Sequence, residues 1–200
     1  MLRPDSKMRS VLIVFGPQGS GKSTQVKHLA QKYNLKVFEA GAKLRELSIV
    51  DENIHQQITS GQLVSNQILR QLVEDYVSQL PSDQGIIFDG YPRNQQQCQD
   101  FKELVEKYDW QVTLIYIHLS DKSAKSRLSM RFQLIDGKKI YREDDKPEIV
   151  ERRLVTFRKE TLPVKDWLAE HYRSIEIDGE PAVDAVTDQI NRALEPIIND

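Results

Sequence analysis

The fold of this chain is decided by the stretch Val11-Leu12-Ile13-Val14-Phe15-Gly16-Pro17-Gln18-Gly19-Ser20-Gly21-Lys22-Ser23-Thr24. An apolar strand runs directly into the pattern G-x-x-x-x-G-K-[ST], and a helical pattern follows it. In such a loop the glycines let backbone N–H groups face phosphate oxygens, the helix adds the positive end of its dipole, and the lysine reaches the outer phosphates. The stretch therefore predicts a strand, a phosphate loop and a helix that together hold a nucleotide.

Short apolar segments alternate with helical patterns over the rest of the chain, which is typical of a parallel sheet covered on both faces. We predict strands at Ser10–Phe15, Lys36–Glu39, Gly85–Phe88, Val112–Leu119 and Ser174–Ile177. We predict helices at Gly21–Tyr33, Ala42–Ile49, Asp51–Gly61, Asn66–Leu80, Gln95–Lys107, Asp121–Arg131, Lys146–Glu170 and Ala182–Ile198. Pro163 lies inside the longest of these helices and predicts a kink there. The expected fold is α/β, a single domain with a five-stranded parallel sheet and helices on both faces.

Composition excludes several classes of partner. The length of 200 residues fits one domain with a substantial core. The net charge of -2 gives no basic footprint, so we expect no nucleic acid as a partner. The longest apolar run, Val112–Leu119, is far too short to cross a bilayer, so we expect a cytoplasmic protein with no membrane partner. We also expect a monomer. Cys98 shares a helical face with Phe101 and Val105, which predicts a core position. The histidines lack the spacing of a zinc site.

A second motif, Asp89-Gly90-Tyr91-Pro92-Arg93, follows the predicted strand 85–88. Because ligands bind at the carboxyl ends of the strands in an open α/β sheet, we expect Asp89 and Arg93 to face the same crevice as Lys22. An aspartate in that position orients Mg²⁺ or its waters, and an arginine four residues on can grip a second phosphate. The alternative for Asp89 is a turn residue that caps the next helix.

With this second motif the chain resembles the adenylate kinase family of nucleoside monophosphate kinases over nearly its whole length. The matching segments follow the family's order and spacing: the glycine loop through Gln25, then 41–45, 61–64, 89–93, 127–131, 142–153 and 178–179. Members of this family transfer the γ-phosphoryl group of ATP, with Mg²⁺, to a nucleoside monophosphate. The resemblance therefore implies a phosphotransferase whose substrates are ATP and a monophosphate and whose metal is Mg²⁺.

The resemblance also implies roles for particular residues. The residues expected to contact ATP are Gly19, Ser20, Gly21, Lys22, Ser23, Thr24, Arg127 and Arg131. The residues expected to contact the acceptor are Ala40, Arg45, Gln62, Leu63, Val64, Gly90, Arg93, Gln97, Arg142 and Arg153.

The chemistry of phosphoryl transfer explains the arginines independently of the family. The attacking group is already an anionic phosphate, so no general base is needed. The barrier falls when two phosphates are aligned and the charge on the transferred group is balanced. The expected catalytic cations are Lys22, Arg93, Arg131, Arg142 and Arg153. Taken singly, each arginine is also compatible with a surface ion pair.

Two insertions are expected to cover the crevice, because ATP must be kept from water until the acceptor arrives. The helical segment 40–69 is expected to close over the acceptor. The segment 132–141 is expected to form a short lid, in which Asp136-Gly137 is a hairpin-turn signal. An ordinary exposed turn is the alternative for Asp136-Gly137.

Several residues depart from the adenylate kinase pattern and bear on the acceptor. Ala40-Gly41-Ala42 stands where the family has Thr-Gly-Asp, so a hydroxyl is missing, and Asn94 together with Ala40 resembles the UMP/CMP kinase branch. Gln97 stands where adenylate kinases place the glutamine that reads the adenine edge, and a carboxamide reads adenine well. We expect AMP as the acceptor, with CMP or UMP as the alternative.

Other departures bear on the metal and on the donor. Ser23 replaces a glycine that is usual in the family and restores the hydroxyl of the general phosphate loop. Ser23 and Asp89 are therefore the expected metal residues, partly through water. The segment Asp178-Gly179-Glu180-Pro181 is shorter than a frequent family version, so the wall of the ATP base pocket is expected to differ.

Three other functions share a phosphate loop. A GTP-binding switch is disfavoured because the sequence has no Asn-Lys-x-Asp stretch for guanine. A small-molecule kinase acting on a hydroxyl would need a base and would not explain Arg45 together with Gln97. A non-catalytic nucleotide sensor stays open, since Ala40 and Ala42 are compatible with lost catalysis.

Overall fold

The chain folds around a parallel sheet. A computed structural model describes residues 9–60, 62, 64–135, 138–141 and 146–198. The strands are β1 (Arg9–Phe15), β2 (Lys36–Glu39), β3 (Ile86–Asp89), β4 (Trp110–His118), β5 (Gln133–Ile135), β6 (Lys138–Ile140) and β7 (Arg173–Asp178). The main sheet has the order β2-β3-β1-β4-β7 with all neighbours parallel, and β5 pairs with β6 in an antiparallel hairpin. The prediction of a five-stranded parallel sheet is confirmed.

Helices connect the strands and cover the sheet. They are α1 (Lys22–Tyr33), α2 (Ala40–Leu47), α3 (Glu52–Ser60), α4 (Asn66–Ser78), α5 (Gln95–Tyr108), α6 (Asp121–Ser129), α7 (Pro147–Thr156), α8 (Leu162–His171) and α9 (Val183–Ile198). A π-helical turn, Phe157–Thr161, joins α7 to α8. The predicted boundaries of these helices and strands lie within two residues of the observed ones, except where the long helix is divided.

Both faces of the sheet are buried, because alternate residues of a strand point to opposite sides. On one face, Val11 and Phe15 of β1 share a core with residues of α4, α5 and α8. On the other face, Leu12 and Val14 share a core with residues of α1 and α9. Cys98 is fully buried in the first core, which confirms its predicted core position. The two cores hold the carboxyl ends of the central strands rigidly at one edge of the sheet.

The predicted helix 146–170 is divided in the structure. The π-helical turn separates α7 from α8, and in it the N–H of Leu162 donates to the carbonyl oxygen of Phe157. Pro163 explains the division, because a proline lacks an N–H and its ring collides with the carbonyl four residues back. The predicted irregularity at Pro163 is confirmed, and it occupies the turn before the proline. Phe157 and Thr161, at the two ends of that turn, are buried.

Two boundaries affect the site. α2 begins at Ala40, earlier than the predicted Ala42, because both alanines favour a helix on either side of Gly41. β3 ends at Asp89, which pairs with Val14 of β1 and so belongs to the strand. The alternative of Asp89 as a helix-capping turn residue is wrong, because Asn94 caps α5.

The two segments predicted as covers contain regular structure. The segment 40–69 holds α2, α3 and the first turn of α4, and the segment 132–141 holds the β5–β6 hairpin. The predicted turn residues Asp136 and Gly137 lie outside the described residues. Within the part of the chain that the structure describes, no helix is both long enough and apolar enough to cross a bilayer.

Candidate active site

The phosphate loop 16–21 leaves β1 at the centre of the sheet and leads into α1. Gly19 and Gly21 have φ angles of +82° and +89°, a left-handed conformation that residues with a side chain rarely adopt. Ser20 between them is buried, and its hydroxyl has no hydrogen-bond partner among the described residues. The N–H of Thr24 donates to the Gly21 carbonyl oxygen at 3.0 Å. The N–H groups at the very start of α1 precede the first helical hydrogen bond, which suits them to an anion held by the loop.

Lys22, the first residue of α1, folds back over the loop. Its Nζ donates to the carbonyl oxygens of Gly16 and Pro17 at 2.8 and 2.7 Å. Burial lowers the pKa of Lys22 from 10.5 to about 8; the Asp89 carboxylate opposes this shift, and neighbouring arginines add to it. The ammonium is therefore poorly hydrated and surrounded by positive charge, which favours the binding of phosphate oxygens.

Ser23 and Asp89 join α1 to the end of β3. Ser23 Oγ donates to Asp89 Oδ2 at 3.1 Å, and Asp89 is buried. A carboxylate beside a hydroxyl suits Mg²⁺, which prefers hard oxygen ligands and keeps several of its waters. These two residues therefore fit a Mg²⁺ ion that brings its waters and phosphate ligands with it.

Arg93 lies against the turn that follows β3. Gly90 has a φ of +81°, and a Cβ at this position would lie 2.5 Å from Arg93 Nη2. Only a glycine therefore lets the guanidinium approach the backbone so closely. Burial lowers the pKa of Arg93, with a further lowering by Arg153, while Asp89 opposes the shift. Because arginine stays charged, this desolvated cation is best compensated by a bound anion.

These groups open into a cavity of about 470 Å³. Its cationic side chains are Lys22, Arg45, Arg93, Arg127, Arg131 and Arg153. Its carboxylates are Glu39 and Asp89. Among the described residues of this wall the cations outnumber the carboxylates, so this part of the cavity attracts anionic ligands. The volume is that of a small-molecule site.

The segment 40–69 contributes one end of this cavity. Arg45 Nη2 lies 3.1 Å from Glu39 Oε1, and each of these side chains is about two-fifths exposed. Ala40, Gln62 and Val64 line the cavity beside them. Glu39 ends β2 directly opposite Asp89 of β3. Sequence reasoning missed Glu39, although its place at the end of a predicted strand was a usable signal.

Arg127 of α6 is tied to the loop after β7. Its Nη2 donates to the carbonyl oxygen of Glu180 at 2.9 Å. The Glu180 carboxylate accepts from the Ser123 hydroxyl at 2.6 Å and from the Ser120 N–H at 2.9 Å. These hydrogen bonds, that of Ser123 first, lower the pKa of Glu180 to about 2. Sequence reasoning singled out the loop 178–181 and missed these contacts, because they join segments far apart in the chain.

Gln97 lies behind the cavity wall. Its side chain is fully buried; Oε1 accepts from the Arg93 N–H at 2.7 Å, and Nε2 donates to Asn66 Oδ1 at 2.9 Å. The Asn94 side chain is also engaged, with the Gln97 N–H on one end and Asn66 on the other. Among the described residues that line the cavity, neither Gln97 nor Asn94 is present.

The chain is similar to known proteins over most of its length. A family model described as adenylate kinase matches residues 14–174. The chain belongs to the adenylate kinase family. The adenylate kinase of Agrobacterium fabrum is 31% identical over 190 residues, which cover 92% of this chain and 97% of that protein. The adenylate kinase of Sinorhizobium medicae is 30% identical over 189 residues, which cover 92% of this chain and 98% of that protein.

Membership of the adenylate kinase family confirms the resemblance drawn from the motifs. The chain is a nucleoside monophosphate kinase, an enzyme that transfers phosphoryl groups among nucleotides. Its substrates are therefore nucleotides, which is consistent with the excess of cations in the cavity.

In this adenylate kinase family member, the fold brings most of the predicted site residues to the cavity. Those that line it are Gly19, Gly21, Lys22, Ser23, Thr24, Ala40, Arg45, Gln62, Val64, Asp89, Gly90, Arg93, Arg127, Arg131 and Arg153. Ser20 is buried within the loop, and Gln97 is buried behind the wall. Leu63 and Arg142 lie outside the described residues. The role of each residue stays a prediction.

Arg131 and Arg153 line the cavity from two different parts of the chain. Arg131 follows α6, Arg153 lies on α7, and both line the cavity. Each of them contributes to the lowered pKa of Lys22. Lys22, Arg131 and Arg153 therefore interact electrostatically in the wall of one cavity.

Proposed function

We propose that this nucleoside monophosphate kinase transfers the γ-phosphoryl group of ATP to AMP and forms two molecules of ADP. The observation that carries the proposal is the shared cavity, which Lys22 of the phosphate loop, Arg93 and Arg45 line together. An enzyme that joins two nucleotides at their phosphates needs cations for both phosphate chains in one space. The relatives named above are adenylate kinases, which agrees with AMP as the acceptor.

The donor half of the proposal rests on the loop and α1. Gly19 to Thr24 would enclose the ATP phosphates, and Lys22 would exchange the carbonyl oxygens of Gly16 and Pro17 for phosphate oxygens. Arg127 and Arg131 would contact the ATP base and phosphates. Arg127 is held for that task by the Glu180 carbonyl.

The acceptor half rests on Arg45 and Arg93. Both line the cavity, Arg45 on α2 and Arg93 on the turn after β3. They would bind the monophosphate from two sides, and Gln97, bonded to the Arg93 N–H, would read the base. Gln62 and Val64 would complete the wall on that side, together with Leu63 and Ala40.

Transfer itself needs alignment and charge, because the acceptor phosphate is already an anionic nucleophile. Lys22, Arg93, Arg131, Arg142 and Arg153 would hold the two phosphate chains in line and balance the charge spread over the transferred group. When bound, Mg²⁺ neutralises charge on the ATP phosphates. Ser23 and Asp89 would hold it, partly through water. The segments 40–69 and 132–141 would exclude water by covering the two substrates.

AMP is preferred over CMP or UMP because of the side chains behind the wall. Asn94, the feature shared with UMP/CMP kinases, caps α5 with its oxygen and donates to Asn66 with its nitrogen. To turn toward a pyrimidine it would have to release the helix cap, which costs about 1 kcal/mol. Asn94 and Gln97 are therefore both engaged in hydrogen bonds. Gln97 is preferred as the base-reading residue because it also matches the adenine-reading position of the resemblance.

A panel of acceptors tests the proposal. ADP formation from ATP and Mg²⁺ is measured with AMP, CMP, UMP, GMP and their deoxy forms, one at a time. We expect AMP to have the highest kcat/KM, by about tenfold or more, since the wrong base leaves hydrogen-bonding groups unpaired. Lys22→Ala is the matched inactive variant, and its kcat should fall by about 10²-fold or more with the fold unchanged.

The outcomes separate the alternatives. A higher kcat/KM for CMP or UMP than for AMP would assign the chain to the UMP/CMP branch. Binding of ATP without turnover of any monophosphate would support the nucleotide sensor instead. Turnover by Lys22→Ala within about tenfold of the unmutated protein would remove Lys22 from the mechanism.

A further inference from the structure

Three amide side chains, of which Gln97 is fully buried and Asn66 and Asn94 are half-buried, form a hydrogen-bonded network behind the acceptor end of the cavity. Asn66 is the first residue of α4, and Asn94 and Gln97 lie at the start of α5. Asn66 Oδ1 accepts from Asn94 Nδ2 at 2.8 Å and from Gln97 Nε2 at 2.9 Å. The network therefore links the segment 40–69, which ends in α4, to the helix that follows Arg93.

Two backbone N–H groups determine which way each amide points. The Gln97 N–H donates to Asn94 Oδ1 at 3.0 Å, so the other end of Asn94, its Nδ2, must face Asn66. The Arg93 N–H donates to Gln97 Oε1 at 2.7 Å, so the Nε2 of Gln97 must also face Asn66. Because a backbone N–H is always a donor, neither amide can be flipped without setting two donors against each other. Asn66 completes the arrangement because its oxygen can accept both bonds.

The Gln97 carboxamide retains bonding capacity after these contacts. An amide has two N–H donors and two lone pairs, and the network uses one of each. One N–H and one lone pair of Gln97 therefore remain, with the oxygen on the Arg93 side and the nitrogen on the Asn66 side. This pattern complements a base edge that carries an amino group beside an unprotonated ring nitrogen, as adenine and cytosine do. Uracil, guanine and hypoxanthine present a keto oxygen beside a ring N–H, which is the reverse pattern.

We propose that Asn66 is a positioning residue that fixes the polarity of the Gln97 carboxamide and so restricts the acceptor to monophosphates of amino-bearing bases. This inference rests on the proposed function, in which Gln97 reads the acceptor base. Gln97 is buried directly behind Arg93, and Asn66 is close in sequence to Val64 and Leu69, which line the cavity. For the acceptor base to contact Gln97, the wall between this side chain and the cavity must open, and the experiment below tests that contact.

Without Asn66 only the Arg93 N–H would hold the Gln97 amide. A single hydrogen bond lets the carboxamide rotate about the contact, so its free donor and acceptor no longer face the base in one plane. Asn66→Leu removes both acceptor bonds. Asn66→Asp keeps them, since a carboxylate oxygen accepts as an amide oxygen does. Comparison of the two variants therefore separates the effect of the hydrogen-bond acceptor at residue 66 from the effect of the side chain's volume.

The experiment compares kcat/KM for AMP against IMP, and for CMP against UMP. The two bases of each pair differ at one edge, where the first carries an amino group and the second a keto oxygen. In the unmutated protein we expect AMP to exceed IMP by about 10²-fold or more, because the keto base leaves buried groups unpaired. Asn66→Leu should reduce this ratio by about tenfold through KM for AMP, with KM for ATP unchanged. Asn66→Asp should retain the ratio within about threefold, as should Gln67→Leu, an exposed neighbour on α4.

Equal use of AMP and IMP by the unmutated protein would overturn the inference, as would an unchanged ratio in Asn66→Leu or a lost ratio in Asn66→Asp. Asn66→Ala replaces Asn66→Leu if the larger side chain prevents folding, which ATP binding reports. Equilibrium binding of AMP and IMP provides the same comparison without turnover. If no monophosphate reacts, but AMP binds more tightly than IMP and Asn66→Leu loses this difference, the proposed function fails while the role of Asn66 stands.

Discussion

Arg45 Nη2 lies 3.1 Å from Glu39 Oε1, so the arginine expected to bind the acceptor phosphate is paired with a carboxylate of the same cavity wall. Both side chains are about two-fifths exposed. A screened pair of this kind contributes less than about 1 kcal/mol to folding. Its importance lies in binding, because an incoming phosphate must share Arg45 with Glu39 or displace it.

Removing the charge of Glu39 should therefore strengthen acceptor binding. We expect Glu39→Gln to lower KM for AMP by about threefold, with kcat and the midpoint of thermal unfolding nearly unchanged, since the pair is exposed to solvent. The matched control is Glu46→Gln, whose carboxylate pairs with Lys43 on the exposed side of α2. Steady-state kinetics with AMP as the varied substrate measures both variants. A raised KM in Glu39→Gln would show instead that Glu39 holds Arg45 in its binding position.

The lowered pKa of Lys22 predicts a pH dependence of ATP binding. With a pKa of about 8 in the nucleotide-free protein, Lys22 loses its proton as the pH rises through 8, although its ordinary value is 10.5. ATP binds the protonated form, so the dissociation constant of ATP should rise by up to about tenfold per pH unit above pH 8. Calorimetric titrations over about three pH units, from roughly pH 7 to about pH 10, measure this dissociation constant.

Lys22→Arg is the control for this titration, because arginine stays charged over the whole range. The affinity of this variant for ATP should not fall as the pH rises above about 8, even if the variant binds ATP more weakly at every pH. The same linkage predicts a sign for stability. Burial disfavours the charged form, so Lys22 destabilises the folded protein below about pH 8, and the destabilisation is relieved as the pH rises toward 10.5. An ATP affinity that is constant across this range would contradict the assignment of Lys22.

Substitution of Glu180 should weaken the binding of ATP, the phosphoryl donor, and leave the binding of AMP, the acceptor, unchanged. Its carboxylate holds the start of α6 through Ser120 and Ser123, and its carbonyl holds Arg127. We expect Glu180→Ala to raise KM for ATP by about three- to tenfold, because the loop whose carbonyl oxygen holds Arg127 is then no longer tied to Ser120 and Ser123. KM for AMP should not change. The control is Glu176→Ala, which removes an exposed carboxylate of β7 that pairs with Lys165 of α8. Equal changes in both Michaelis constants would indicate a general loss of structure.

Gly90 should be intolerant of a methyl group. An alanine there would need a φ of +81° and would bring its Cβ to 2.5 Å from Arg93 Nη2. We expect Gly90→Ala to lower kcat by about 10²-fold through a displaced guanidinium and to destabilise the fold by about 1 kcal/mol. Gly41→Ala is the comparison for stability, because Gly41 is helical and its nearest neighbour is the flexible end of Arg45. Activity of Gly90→Ala near that of the unmutated protein would show that the position of Arg93 is unimportant.

The proposed covers predict a pattern of protection. A bisubstrate mimic that joins two adenosines through five phosphates should bind much more tightly than ATP or AMP, because it pays the entropy of association once. In hydrogen exchange, the mimic should slow the amides of both 132–141 and 40–69, whereas ATP alone should slow mainly the first. A mimic that binds no better than ATP would argue against a second nucleotide site.

Local signals account for what the sequence alone predicted correctly. The strand, loop and helix from Val11 onward follow from apolar runs, glycines and helix starts that lie next to one another in the chain, and β1 and α1 confirm them. Pro163 is a local signal of the same kind, because its missing N–H acts on the helix that contains it. Family membership follows from ordered motifs and likewise needs no contact map.

Contacts between distant segments were decided only by the tertiary structure. Nothing in the sequence around Arg127 indicates that Glu180 would hold it, since folding determines which groups meet at the strand ends. Gln97 shows the same limit, because its motif predicts a base-reading residue while its burial and its bond to Asn66 depend on how α4 packs beside α5. The sequence by itself determined the sheet, the loop and the kind of chemistry, because each depends on neighbouring residues. The tertiary structure decided the partners of each charged and amide group, because those depend on which ends of distant elements the two cores bring together.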